Sequence, residues 1–317
     1  MESIFFKRQI IFLLMVIFLS LVSIETLLAK NKSDLVNRFR IKISCGLNNL
    51  RNIRDINKHL STGNERHSDY AQYYNGLKKG ELKEIGSGFE SEIGLTFDIT
   101  SRLNVYIRSG YEFTEIQSAS GFEISPPGLI DVDFTYSPDI SIRTIPIKLG
   151  ISYIIPFSRK TRLFINGGIG YYLVKTNFNW KQTEIWTYKD GSLYADFSEM
   201  VEWDLNSKPI GYHGGVGLEY SIARNLGLVF EIQANSVKAK KLKGTELFLG
   251  PGSSESLYGT VYYFEKWNSI TEKYYMGLGF FKEKPDYLPS PEYRNIRNAE
   301  LDLSGYILKI GIKIRLY

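Results

Sequence analysis

Few side chains in this chain are arranged in a way that could do chemistry. His67-Ser68-Asp69 holds the base, nucleophile and carboxylate types of a hydrolytic triad, yet triad members come from separated elements that converge in space, which three consecutive residues cannot do. The triplet reads as an exposed polar loop. Glu90 and Glu92 could act as general acid and base. Side chains two apart lie on one face of a strand, however, and there the two carboxylates are better explained as ion-pair partners of Arg40 and Lys42. Gly167-Gly168-Ile169-Gly170 and Gly214-Gly215-Val216-Gly217 suggest phosphate-cradling loops, but neither precedes a helix or a suitably placed Lys followed by Ser or Thr. Three histidines (His59, His67, His213) and one cysteine leave little material for a metal site or a disulfide, so neither metal nor cofactor is expected. Cys45 itself reads as a buried strand thiol.

Composition narrows the partners. The chain has 317 residues, with 39 basic against 34 acidic side chains, a net charge of +5. That surplus is too slight for a nucleic-acid binder. With 43% hydrophobic, 14% aromatic and 23% charged residues, disorder and collagen are excluded. Met1 to Ala29 has the pattern of a secretory signal: Lys7 and Arg8, an apolar run from Ile10 to Ile24, then Leu27-Leu28-Ala29. At the helical rise that run would span only about 22 Å of a roughly 30 Å hydrocarbon core, so cleavage is favoured over a retained anchor. The mature chain is read as residues 30–317.

The elements that must position the remaining side chains are strands. Alternation with period two recurs near residues 38–48, 88–99, 102–116, 142–157, 161–178, 212–222, 225–236 and 303–317. In the last of these Leu308, Ile310, Ile312, Ile314 and Leu316 oppose Lys309, Gly311, Lys313 and Arg315. Tight turns at 100–102, 158–160 and 223–225 alternate with long links near 50–86, 117–141, 179–211 and 237–302. An antiparallel barrel crossing an outer membrane has this bias, with short periplasmic turns and long external loops. The expected fold is therefore all-β, an eight-stranded antiparallel transmembrane β-barrel with four long extracellular loops behind a signal peptide.

Sidedness follows from glycine and charge. With the apolar face outward, twelve of the 28 glycines line the interior, where a cramped, curved wall favours a missing side chain. The inward set also carries Arg40, Lys42, Arg108, Lys148, Lys309, Lys313 and Arg315 against Glu90, Glu92, Asp98, Glu112, Glu219 and Glu231. Unpaired, such charges cost several kcal/mol each on burial, so they are expected to form a near-neutral network filling the lumen. Outward Phe97, Phe157 and Tyr220 near the short turns, with Phe89, Tyr111, Phe113, Tyr171 and Tyr306 toward the loops, make two aromatic girdles. Pro146 falls within a strand and predicts a bulge or strand edge. Segments 258–264 and 274–281 pair above the membrane or enter the barrel as a ninth and tenth strand, and 184–203 reads as a hairpin extending beyond the bilayer.

Thr144-Ile145-Pro146-Ile147-Lys148-Leu149-Gly150, Gly167-Gly168-Ile169-Gly170-Tyr171-Tyr172 and His213-Gly214-Gly215-Val216-Gly217-Leu218-Glu219-Tyr220 resemble the bacterial outer-membrane protein β-barrel domain family, with its OmpA-like, OmpX-like and OmpW-like members. The resemblance covers the strands and none of the long loops. It implies a bacterial outer-membrane location, lipid and lipopolysaccharide as neighbours, and insertion by the outer-membrane assembly machinery. The terminal Tyr317 matches the family's assembly signal but lies one residue out of step with the alternation. Some barrel enzymes that modify lipid A keep a histidine near the external rim, where His213 is placed, but it has no evident serine partner. The expected role is that of a monomeric, non-enzymatic structural or recognition protein acting through its loops. A narrow porin-like channel is the alternative, and a lipid A-modifying enzyme a lesser one. Trp180, Trp186, Trp203 and Trp267 lie in the loops and suit an extracellular cap or a protein- or glycan-binding surface. Lys238, Lys240, Lys241 and Lys243 suit lipopolysaccharide phosphates or a solvated collar.

Overall fold

The computed structural model describes residues 38–50, 53–126, 128, 130–285 and 292–316; the segment read as a secretory signal and Tyr317 lie outside them. Eight strands close into a ring: β1 (Phe39–Leu50), β3 (Ser87–Asp98), β4 (Leu103–Gln117), β6 (Ile130–Pro156), β7 (Thr161–Tyr188), β9 (Ile210–Ser221), β10 (Leu226–Lys240) and β16 (Gly305–Arg315). Each is antiparallel to its neighbours, and β16 closes the ring by pairing with both β10 and β1. Burial alternates along each strand as the period-two pattern requires. Lys148, Glu90 and Lys309 face inward, while Leu149, Ile151, Ile165 and Leu308 face out with about half of their surface open. Cys45 is also outward and exposed, on the face that carries Ile43 and Leu47. The expected buried thiol is thus corrected: parity on β1 gives the interior to Ser44 and Gly46.

The strands are longer than a bilayer needs. A membrane strand takes about ten residues, whereas β6 has 27 and β7 has 28. These two pair without a break from Ile130↔Tyr188 to Pro156↔Arg162. Above the membrane the alternation keeps its geometry but inverts its chemistry. On β10, outward Phe230 and Ile232 give way to Ser236, Lys238 and Lys240, while inward Glu231, Gln233 and Asn235 give way to Val237 and Ala239. The β6 strand does the same between Lys148 and the buried Ile142 and Ile140, and β7 between Asn166 and the buried Val174 and Phe178. Where acyl chains end, water takes the outer face and the apolar residues turn inward.

That inversion gives an extracellular cap with its own core. It contains β2 (Leu77–Glu81), β5 (Ala119–Ile124), β8 (Leu193–Ser207), β11 (Lys243–Gly250), β12 (Ser253–Asn268), β13 (Lys273–Phe281), β14 (Tyr293–Asn298), β15 (Glu300–Asp302) and helix α1 (Arg54–Tyr73). The helix corrects the reading of 50–86 as a loop with no helical stripe. Its buried face is Asp55, Ile56, Leu60, Thr62, His67 and Ala71, so polar residues interrupt the apolar stripe and hide its 3.6 period. Asn57 and Asn64, seven apart on one face, each pair in both directions with the main chain of Ile85 and Leu82, at 2.7 to 2.9 Å. Seven helical residues rise about 10 Å and three extended residues span about the same, so segment 82–85 lies along α1 with its buried peptide groups satisfied. Asp55 takes both terminal nitrogens of Arg297, each at 2.7 Å, fastening the helix to the last loop.

Two further expectations are settled by the pairing. β12 and β13 pair with each other above the membrane and stay off the ring, so the barrel has eight strands and not ten. β7 and β8 form the hairpin predicted over 184–203. Pro146 produces no bulge. The β4–β6 ladder lapses between Ser109↔Ile147 and Glu112↔Thr144 and resumes in the same register, while the β7 side pairs Pro146 with Tyr172. The missing N–H is absorbed by a gap in one ladder.

Candidate functional site

The thirteen charged residues placed in the lumen come from seven of the ring strands, and the structure sets all of them but Arg315 in three groups. At the centre Glu92 meets Lys309 at 2.9 Å, Lys148 at 3.2 Å, Arg108 at 3.6 Å and Lys42 at 3.9 Å. Glu90 takes the same two lysines, Lys148 at 2.8 Å and Lys309 at 2.9 Å, and Glu112 stands 3.6 Å from Lys148. A second group is Glu231, which pairs with Lys42 and, at 3.1 Å, with Arg108, and accepts from Asn166 at 2.7 Å. Toward the periplasmic turns Arg40 pairs with Asp98, while Glu219 is 3.0 Å from Lys313 and 3.9 Å from Arg40. Arg162, not anticipated from the sequence, adds a further pair to Glu219 at 3.8 Å. Arg315 faces Arg40 across the β1–β16 register and joins no ion pair among the described residues. Charges this deeply buried stay ionised only when several partners compensate each one, and the side chains of Lys148, Lys309, Glu90 and Glu92 are all 2% exposed or less.

An aromatic layer crosses the bore beside the ion pairs, with the Arg108 guanidinium over the Tyr106 ring at 3.9 Å. Tyr106 on β4 reaches across β6 and β7 to His213 on β9, with its hydroxyl 2.8 Å from Nε2. It can do so because Gly150 and Gly168 lie beneath: a Cβ on Gly150 would stand 2.5 Å from the Tyr106 hydroxyl, and one on Gly168 would strike the β6 backbone. His213 is therefore a buried partner of a phenol and sits inside the bore, not at the rim.

The cap holds the second site. Between α1, β5 to β7 and β12 to β13 is a cleft of about 890 Å³, within the range that takes a small ligand or one segment of a larger one. One wall is a stack of parallel rings, Tyr70 over Phe122 at 5.6 Å and Phe122 over Phe134 at 5.0 Å. Trp186, Phe264, Trp267 and Tyr275 also line the cleft. His67, far from lying on an exposed loop, is fully buried against Phe134, with Nδ1 3.1 Å from Ser120 Oγ. Its Nε2 has no partner among the described residues. Burial, reinforced by the charge of Arg66, holds His67 at about 3 and His59 at about 4, so both imidazoles are neutral at physiological pH. Arg66 itself is exposed at the cleft and makes no ion pair among the described residues. Ser68 plays no part in a triad with these groups, and Asp69 instead takes Lys273 at 2.9 Å and the Tyr275 hydroxyl at 2.5 Å. Of the four tryptophans, Trp180 and Trp203 pack edge to face at 4.7 Å inside the cap, while Trp186 and Trp267 line the cleft. The sequence singled out the tryptophans but not the Tyr70–Phe122–Phe134 stack. The signal for that stack was the aromatic alternation of residues 130–136 with its apolar face turned inward.

Comparison with known proteins bears on the barrel. The family model described as the outer membrane protein beta-barrel domain matches residues 55–252. Among solved structures, the outer membrane protein OprG from Pseudomonas aeruginosa is 10% identical, with 89% of this chain and 98% of that one covered at a TM-score of 0.36. A major outer membrane protein from Thermus thermophilus is 10% identical, covering 87% and 98% at a TM-score of 0.34. The outer membrane protease OmpT from Escherichia coli is 9% identical, covering 89% and 98% at a TM-score of 0.25. Comparison with curated protein sequences gives no match.

Proposed function

The chain belongs to the outer membrane protein beta-barrel domain family, and from that premise we propose that this outer-membrane barrel is a non-enzymatic recognition protein whose extracellular cap binds a protein or glycan ligand. The observation that carries the reading is the division of labour along the strands. The lumen is occupied by ion pairs and crossed by the Tyr106–His213 contact, whereas the cap is built around an aromatic cleft with an uncommitted guanidinium at Arg66. A bore occupied by its own side chains supports a role at the surface over passage of solutes. Aromatic rings and one arginine are the groups that anchor protein and sugar ligands with little entropy lost. Its insertion would use the outer-membrane assembly machinery, and outer-leaflet lipopolysaccharide would be its neighbour.

The test is an array of glycans and extracellular matrix proteins probed with the refolded full-length protein, alongside planar-bilayer recordings. Binding that Arg66→Ala and Trp267→Ala abolish, with no conductance, is the expected result. No bound partner together with stable single-channel steps would overturn the reading in favour of a conduit. A change in lipid A mass that His213→Ala removes would replace it with an enzyme.

A further inference from the structure

A notch on the outer wall belongs to neither the lumen nor the cleft. The chain passes from β8 to β9 through Lys208-Pro209 and from β10 to β11 through Lys241-Leu242. Ser207 Oγ donates to the Lys240 carbonyl at 3.5 Å, tying the two turns together. Around them lies a cavity of about 460 Å³ lined by Lys208, Lys238, Lys240, Lys241 and Lys243, all exposed. Lys238 pairs with Glu300 at 3.3 Å; the other four meet no carboxylate at ion-pair distance among the described residues. Five like charges around one cavity repel each other, and an anion seated among them relieves that repulsion.

The position of the notch tells which anion. Directly below it on β9, Ile210 is 71% and Tyr212 68% exposed on the lipid-facing side, and Ser236, two residues before Lys238, pairs with Tyr212. Tyr171 on β7 pairs with Ile210, and Ile232 on β10 lies just beneath. The lysines thus stand one step above the apolar belt, where the polarity of β10 inverts. A soluble phosphate would answer the lysines alone, whereas a phosphorylated lipid answers both the lysines and the apolar wall under them.

We infer that this notch binds the phosphorylated headgroup of an outer-leaflet glycolipid of the lipid A type, with its acyl chains lying against Ile210 and Tyr212. The site rests on the outer-membrane placement and is independent of what the cap recognises. It would fix the depth and rotation of the barrel in the leaflet.

The experiment is native mass spectrometry of the full chain in detergent with diphosphoryl lipid A, its monophosphoryl form, and inorganic pyrophosphate as competitor. Retention of diphosphoryl lipid A should fall about tenfold or more in Lys208→Gln/Lys240→Gln/Lys243→Gln, since each lysine near a phosphate contributes several-fold. The equal charge change Lys83→Gln/Lys282→Gln/Lys284→Gln, at sites outside the notch, should leave it unchanged. Equal retention by wild type and the notch variant overturns the inference, and so does displacement of the lipid by equimolar pyrophosphate. Should the notch variant fail to fold, as judged by gel mobility before heating, wild type still decides. Equal retention of the diphosphoryl and monophosphoryl forms overturns the site.

Discussion

Glu92 meets four cations in the lumen, and no other carboxylate there does as much. Glu92→Gln would leave Lys309, Lys148 and Arg108 short of compensation in a site that water does not reach. The loss is expected to be about 3–5 kcal/mol, measured as a fall in the urea midpoint for loss of the fast-migrating form in unheated gels. His67 gives a prediction of the opposite kind. Its folded value, about 3, lies below the ordinary one of about 6.5, so below pH 6.5 the unfolded chain takes up a proton that the cap refuses. Stability of the cap is then fully present above pH 6.5 and is lost progressively as pH falls toward 3. Cleavage of the cap by an acid-active protease should rise over that window while the barrel stays heat-modifiable. His67→Leu should flatten the dependence, and an unchanged profile in that variant would assign the effect elsewhere.

At the scale of elements the strands were legible and the helix was not, for a physical reason. A lipid-facing strand must alternate strictly, because every second residue meets acyl chains, so the residues near 88–99 and 225–236 declare themselves. α1 lies in a cap where one face meets both apolar and polar neighbours, and Asp55, Asn57, Asn64 and His67 hold it by specific hydrogen bonds. Those residues look like loop residues in sequence. The charged lumen residues were legible because charge on an inward face has few alternatives to pairing. The cleft was not, since its walls come from four separated segments, joined by the β6–β7 pairing and by the contacts of α1 with β5 and β13. Leu60, fully buried in the cap core, separates the two layers experimentally. Leu60→Asp places a charge in that core and should open α1 and the cleft to protease, with gel mobility of the unheated barrel retained. Simultaneous loss of both would mean that the cap is needed for closure of the ring.

For the whole molecule, a bore filled by its own side chains predicts that the purified protein shows no single-channel steps at neutral pH, and that Tyr106→Ala alone does not open it, because the pairs of Lys148 and Lys309 still occupy it. Stable conductance from Tyr106→Ala would show that the aromatic layer, and not the ion pairs, is the barrier. The unbroken ladder of β6 and β7 has a consequence for biogenesis. Its upper end at Ile130↔Tyr188 runs into the β7–β8 turn at Lys189-Asp190-Gly191, far above the outer leaflet. A chain inserting from the periplasmic side must therefore carry that polar turn and its flanking Trp186 across the whole bilayer, a load that the three short turns at the other end of the barrel never bear.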